Sequence, residues 1–277
     1  KVSPEPEPAP VPVERVFRYC CGVRECLGML QLCDARGLGF SAVNTTSWAY
    51  GVIVCDAFNG GRASRQEFLA SFIPAWNHYQ RWFFEQNVAS LYGLGDDSKL
   101  RKIPAWAHIM PWGKRSPRQM TSWLPPRIRR NRKNHGAQIS GWSTKNQIMR
   151  LDSELSAESH GNQFFDLATA FSTGGAWAHC NTTDPFSVWS LQRKGESRWF
   201  VYSGNHRIAA YAVSGISEVH AELEGVVIEE EVDSWHNVRN GSFTRREALG
   251  VFDNLFQGAL LQTAAVMIDT LPRRPEV

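Results

Sequence analysis

What the sequence lacks narrows its class first. There is no disulfide framework among the six cysteines: Cys20, Cys21, Cys26, Cys33 and Cys55 crowd the first fifth of the chain and Cys180 stands apart. The spacing Cys21-x4-Cys26-x6-Cys33 misses the paired ligands of a zinc site, and no His lies beside it. Reduced thiols on helix faces are expected, and with them a reducing soluble compartment, cytoplasm or organelle matrix. Long apolar runs are also missing. The longest, Trp48 to Phe58, includes Asp56 and falls well short of the roughly 20 residues of a membrane helix, so no span is expected. Charge of one sign is not in excess: 30 Lys and Arg against 27 Asp and Glu leave +3, which alone names neither nucleic acid nor membrane as partner. The opening KVSPEPEPAPVP has neither the basic nor the apolar region of a signal peptide. Beginning at Lys1 without Met, the chain reads as processed, with an upstream domain or a removed targeting segment left open.

What is present is globular. The 277 residues, 43% of them hydrophobic, suffice for one large domain or two small ones with a sizeable core. Residues 1–13, with Pro at every second or third position, read as an extended linker. From Glu14 to Arg36 apolar residues recur at threes and fours before Gly37 and Gly39, the pattern of an amphipathic helix. Trp48 to Phe58, closed by Asn59-Gly60-Gly61, reads equally as a strand or a buried helix. The capping box Ser64-x-x-Glu67 starts a helix whose stripe, from Phe68 through Phe72, Trp76 and Tyr79 to about Leu91, reads as core. Residues 101–142 hold most of the local positive charge. There Arg127, Arg129, Arg130, Arg132 and Lys133, with Trp123 and Trp142, suit either nucleic-acid contact or a solvated basic face packed over the rest.

Beyond residue 140 the pattern changes. Thr144-x-x-Gln147 opens a helix carrying Ile148, Leu151 and Leu155, expected to end at His160-Gly161. Phe186 to Leu191 and Arg198 to Ser203 flank the turn-like QRKGES and read as a β-hairpin. Directly after it stands Ser203-Gly204-Asn205-His206-Arg207, then a short helix to Gly215 and a strand-like run, Val219 to Ile228. Gly204 lets the backbone approach a ligand, a helix start favours an anion, and His206 and Arg207 bring donors to the same end. Gly204, Asn205, His206 and Arg207 thus form a candidate phosphate cradle.

In this strand, turn, helix, strand context, Gly204, His206, Arg207, Ala210 and Gly215 resemble the Gly-x-His-Arg pattern of the ParB/sulfiredoxin superfamily over roughly residues 140–232. The resemblance implies a nucleotide-binding fold whose members include CTP-binding partition proteins, ATP-dependent sulfiredoxins and ATP- or ADP-dependent serine kinases, the turn holding nucleotide phosphates. Sulfiredoxins carry their catalytic Cys between the Gly and the His, where this chain has Asn205, so sulfinic-acid repair is not expected. Partition proteins carry a helix-turn-helix domain after the nucleotide fold, whereas about 45 residues follow residue 232 here, so DNA segregation is not expected either. The tail, with Asp233, Trp235, Val238 and Gly241, and the earlier Met110-Pro111-Trp112 resemble uncharacterised bacterial ParB-like proteins. A last helix opens at Thr244-x-x-Glu247, its stripe running through Leu249, Phe252 and Phe256 to Ala259 and Leu260.

The expected architecture is therefore α/β in the α+β sense: a mostly helical N-terminal lobe over residues 14–139, then over residues 140–277 a ParB/sulfiredoxin-like mixed sheet with flanking helices. The leading expectation is a nucleotide-binding protein using ATP, ADP or CTP with Mg²⁺, as a phosphotransferase or nucleotidase. Glu154, Glu158, Asp166, Asp184 and Glu218 are carboxylates near the motif and His160 and His179 further bases, with none assigned; Glu229, Glu230 and Glu231 read as a solvated run. No metal-ligand set is assigned. The alternatives are a non-catalytic subunit that keeps the fold and presents its aromatics to protein partners, and a nucleic-acid-binding or nuclease-like module.

Overall fold

A computed structural model describes residues 27–37, 42–120, 145–173 and 186–272. The proteins' two kinds of element are intermixed along the chain: strands β1 (Leu27–Gln31) and β2 (Ala35–Arg36), helices α1 (Ala49–Phe58), α2 (Arg65–Glu85), α3 (Val88–Tyr92) and α4 (Lys145–Ser172), strands β3 (Phe186–Arg193) and β4 (Glu196–Val201), helix α5 (Asn205–Val213), strand β5 (Glu218–Ile228), and helices α6 (His236–Arg239), α7 (Arg245–Gln257) and α8 (Gln262–Asp269). The architecture is mixed α+β, with helices flanking one five-stranded mixed sheet of order β1-β5-β3-β4-β2. β3 and β4 form the expected antiparallel hairpin, and β3 runs parallel to β5, reached from β4 through α5. The two-residue hairpin turn has positive φ at both Lys194 and Gly195, the twist that matches two antiparallel strands.

The outer strands correct the sequence reading. Residues 27–36 are not the end of an amphipathic helix. β1 pairs antiparallel with β5 from Leu27↔Glu222 to Gln31↔Glu218, and β2 pairs parallel with β4 at Ala35↔Trp199 and Arg36↔Phe200. Leu27 and Leu30 thus take their places in a ladder with a partner almost 200 residues away, and the sheet is not confined to the chain beyond residue 140. Only the 3-10 turn Leu32–Asp34 separates these two edge strands. Four extended residues reach about 14 Å, whereas the edges of a flat five-stranded sheet stand about 19 Å apart. The sheet therefore curls until its edges approach each other.

Alternation along the strands sends side chains into two cores. Trp199 and Val201 of β4 join Val188, Val219 and Ala221 in a core completed by α1, α2, α4 and α5. Phe200 between them joins Leu191, Val227 and the α3 and α7 side chains in the second. The Trp48–Phe58 ambiguity resolves to helix: Val52, Ile53, Val54, Ala57 and Phe58 of α1 are all buried, so the segment is apolar around most of its circumference, as a central core helix is. Two of the three expected capping boxes form, Ser64 with Glu67 and Thr244 with Glu247; Thr144, which would open the third, lies outside the described residues.

Two helix limits differ from expectation. α4 does not stop at His160-Gly161 but continues to Ser172. A Cβ at Gly161 would lie 2.6 Å from Leu69 Cδ2 and 2.9 Å from Phe72 Cδ1, so this glycine serves close packing of α4 on α2 rather than termination. The C-terminal helix ends at Gln257, and Ala259 and Leu260 fall in the break before α8. Cys33 and Cys55 are free thiols, and burial first, then the Asp56 charge, pushes the Cys55 thiol up. The linker 1–13, the remaining cysteines, the Arg127–Lys133 run, Trp123, Trp142, His179 and Asp184 lie outside the described residues.

Candidate functional site

β4 delivers the chain to the motif in a fixed position. Tyr202 and Ser203 donate their backbone N–H groups to Ser187 O on β3, and Ser187 N–H donates to Ser203 Oγ at 3.2 Å. Gly204 then turns into the left-handed region, φ 88° and ψ 20°, as the N-cap of α5. Two constraints demand glycine here: the positive φ, and a Cβ that would sit 2.5 Å from Phe186 Cβ. Ile208 N–H donates back to Gly204 O at 3.1 Å, while no side chain caps the first turn of α5. A helix start of this kind presents backbone donors and the positive end of the helix dipole.

The two charged-motif residues part company. Arg207 folds back over the turn, its Nη2 3.4 Å from the place a Gly204 Cβ would occupy. His206 packs inward, its ring stacked on His160 at 4.9 Å with planes 17° apart and meeting Phe164 edge-on at 4.7 Å. Trp76 lies against both imidazoles, 5.2 Å from His160 and 6.4 Å from His206, and Tyr50 stands 6.1 Å from His206. The Nε2 of His206 and the Oδ1 of Asn205 are both shielded from solvent. Asn205 Oδ1 accepts no hydrogen bond, an unmet acceptor beside the turn of the sort that marks a site for water or ligand.

Burial pushes the Tyr50 hydroxyl up to about 12, against the opposing effect of its hydrogen bond with Tyr79, and Tyr79 is raised further by burial and by Tyr50. Both phenols stay protonated near neutral pH, so neither is a resting base. Of the bases singled out from sequence, the structure brings His160 to the motif. Asp166 is held by Arg65 at 2.5 Å, Gln31 donates to Glu218, and Glu229 pairs with Arg193 at 2.6 Å. Glu158 is exposed, as are Glu230 and Glu231, and the Glu154 side chain lies outside the described ones. Trp76 was legible only as a core position on a helical stripe and Tyr50 only as part of the Trp48–Phe58 run, while Phe164 lies beyond the expected helix end; nothing local in the sequence pairs them with His206.

Among the described residues no group of three His, Cys, Asp or Glu side chains gathers as a metal site, and no single helix is long and apolar enough to cross a membrane. No family model, no curated protein and no solved structure matches the chain.

Proposed function

We propose that the Gly204–Arg207 turn binds the phosphates of a nucleotide, ATP, ADP or CTP, in a ParB/sulfiredoxin-like fold, and that phosphoryl transfer or hydrolysis is the chemistry this binding serves. The observation that carries the reading is the left-handed Gly204 cap, which opens an otherwise uncapped helix with a guanidinium folded over it. Backbone N–H groups at a helix start and an Arg fork are the donors that phosphate oxygens take. Arg207 supplies the charge and the first turn of α5 the directed donors. The ring of His206 is committed to His160 and Phe164, so its part is to fix the angle at which α5 leaves the turn.

The residues fit the phosphate better than they fit a metal ion. The turn contributes nitrogen donors and the Asn205 amide but no carboxylate, so Mg²⁺ would be held chiefly by the nucleotide's own oxygens, where it supplies charge neutralisation. His160 is the base nearest the motif among those the sequence offers.

The assembly reading draws less support, because Trp48, Trp76, Trp112, Trp199 and Trp235 are buried in the cores and are not available as interface anchors. The nucleic-acid reading rests on residues outside the described ones. Calorimetric titration of ATP, ADP, CTP and GTP, with and without Mg²⁺, tests the proposal. One of the first three should bind, and Arg207→Ala should weaken it at least tenfold in a folded protein. Absence of binding to the unaltered chain overturns it.

A further inference from the structure

At the far end of the β3–β4 hairpin, six residues of β4 and therefore about 20 Å from the Gly204 turn, lies a partly open cleft of 320 Å³ lined by Arg36, Arg193, Lys194, Glu196, Arg198, Phe256 and Gln257. Four of these seven side chains are basic, Arg36 from the edge strand β2 and the other three from the hairpin, while the end of α7 adds Phe256 and Gln257. Such convergence was invisible in the sequence, where Arg36 and Arg193 to Arg198 belong to different regions and the net charge is small.

The four are not equally committed. Arg193 is neutralised: it forks onto Glu229 at 2.6 and 3.1 Å, also pairs with Asp253, and lies over the Phe252 and Phe256 rings. Arg36 is 5% exposed, and its hydrogen bonds go to the carbonyls of Cys33, Ala35 and Phe256 rather than to any carboxylate. A guanidinium carries two N–H groups on each terminal nitrogen, and Nη2 of Arg36 uses one of its two, on Phe256 O at 3.1 Å. Arg198 donates from Nη1 to Ser197 O at 2.8 Å and lies over the Phe256 ring; among the described residues it meets carboxylates only at long range, Asp34 at 3.9 Å and Glu196 at 3.7 Å, and both acids are substantially exposed, where such pairs contribute little. Lys194 is exposed at the tip of the turn. Burial, and after it the Arg198 charge, pulls the Arg36 guanidinium below its ordinary value. Like charges brought together at a partly buried position repel unless something negative stands between them.

We propose that this cleft is a second anion site, distinct from the Gly204 turn, which takes the phosphate group of a small molecule, free phosphate or a phosphomonoester, between Arg36, Lys194 and Arg198. A dianionic group matches three cations whose own acids are loose or absent. Its three non-bridging oxygens suit the Arg198 guanidinium, the spare Arg36 donor and the exposed Lys194 ammonium better than a single carboxylate would.

The test uses the full chain carrying Arg207→Ala, so that the Gly204 turn is weakened as a competing phosphate site. Inorganic phosphate is titrated at constant ionic strength while the backbone amides of Lys194 to Arg198 are followed by NMR. The expected result is a saturable shift of these amides. Arg198→Gln should weaken the apparent affinity at least tenfold. Lys194→Asn should weaken it several-fold, because Asn keeps the left-handed backbone of that turn position and leaves folding intact even if the Arg198 variant does not. A parallel titration with glycerol phosphate separates the two sources: tighter binding assigns the site to an ester, equal or weaker binding to free phosphate. The proposal is overturned if the amides show no saturable shift, if chloride at matched concentration produces the same shift, or if Lys194→Asn binds as the parent does.

Discussion

The imidazole of His206 lies face to face with that of His160, 4.9 Å away and 17° from parallel. One ring belongs to the Gly-Asn-His-Arg turn and the other to the middle of α4, so the candidate phosphate turn is bolted to the helical core through a histidine pair.

This division of labour predicts opposite signatures for neighbouring residues. His206→Ala removes a ring packed on His160, Phe164 and Trp76 and should cost about 2–3 kcal/mol in urea unfolding. Arg207→Ala should cost clearly less stability than His206→Ala while weakening nucleotide binding. Equal stability losses at the two positions would contradict the assignment.

Gly204 and Gly215 bracket α5, and both have positive φ, 88° and 73°. A Cβ at Gly215 meets nothing within 4 Å, whereas one at Gly204 strikes Phe186. Gly215→Ala should therefore cost only the backbone strain, about 1–2 kcal/mol. Gly204→Ala should cost the same strain and the displacement of β3 as well, and so unfold at clearly lower denaturant. Matching midpoints for the two variants would show that Phe186 yields without penalty.

Asn237 is fully buried, and its Nδ2 donates to the carbonyls of Met110, Gly113 and Arg115 at 2.8, 2.8 and 3.0 Å, while Asn240 donates to its Oδ1. Trp235 beside it meets Trp112 edge-on at 5.3 Å. The Met110-Pro111-Trp112 stretch and the Trp235 to Gly241 stretch are thus one structural unit. Replacing Asn237 by Ala takes the donor from three part-buried carbonyls, of which Met110 O keeps the Gly113 N–H, and should cost about 1–3 kcal/mol. Replacing it by Asp adds a charge facing those carbonyls and should be worse. Faster proteolytic cleavage near Met110 to Arg115 in both variants is the accompanying readout.

Glu247 carries a pH prediction. Burial alone would raise its carboxyl, but hydrogen bonds from Ser98 and from the Thr244 amide and hydroxyl outweigh it, so the carboxyl is held below its ordinary value of 4.5. A depressed folded-state value means that the carboxylate stabilises the fold above the unfolded value, and that this stabilisation is lost as pH falls through the folded one. Glu247→Gln should be less stable than the parent at neutral pH, with the difference shrinking below pH 4.5. A gap between the denaturation midpoints that does not narrow with acid would refute the linkage.

The sequence was most readable where one short stretch decides the outcome. Two capping boxes, the hairpin around Lys194-Gly195 and the Gly204 turn each rest on a few adjacent residues whose backbone demands are local. It was least readable where a distant partner decides. Leu27 and Leu30 fit a helical period as well as a strand, and only the β5 ladder chooses between them. Gly161 carries the mark of a helix stop, yet contact with Leu69 and Phe72 overrides it. The aromatic wall behind His206 is assembled from α1, α2 and α4, and the basic cleft from β2, the hairpin and α7, so neither leaves a contiguous trace.

The short crossing at Leu32–Asp34 ties both margins of the sheet to one ten-residue stretch of chain. Protein trimmed to begin at Trp48 would not lose a single outer strand but two at once. β5 and β4 would each then face water with a bare row of N–H and C=O groups, which is a template for pairing between molecules. Residues 27–36 therefore guard the folded chain against self-association as well as completing its sheet.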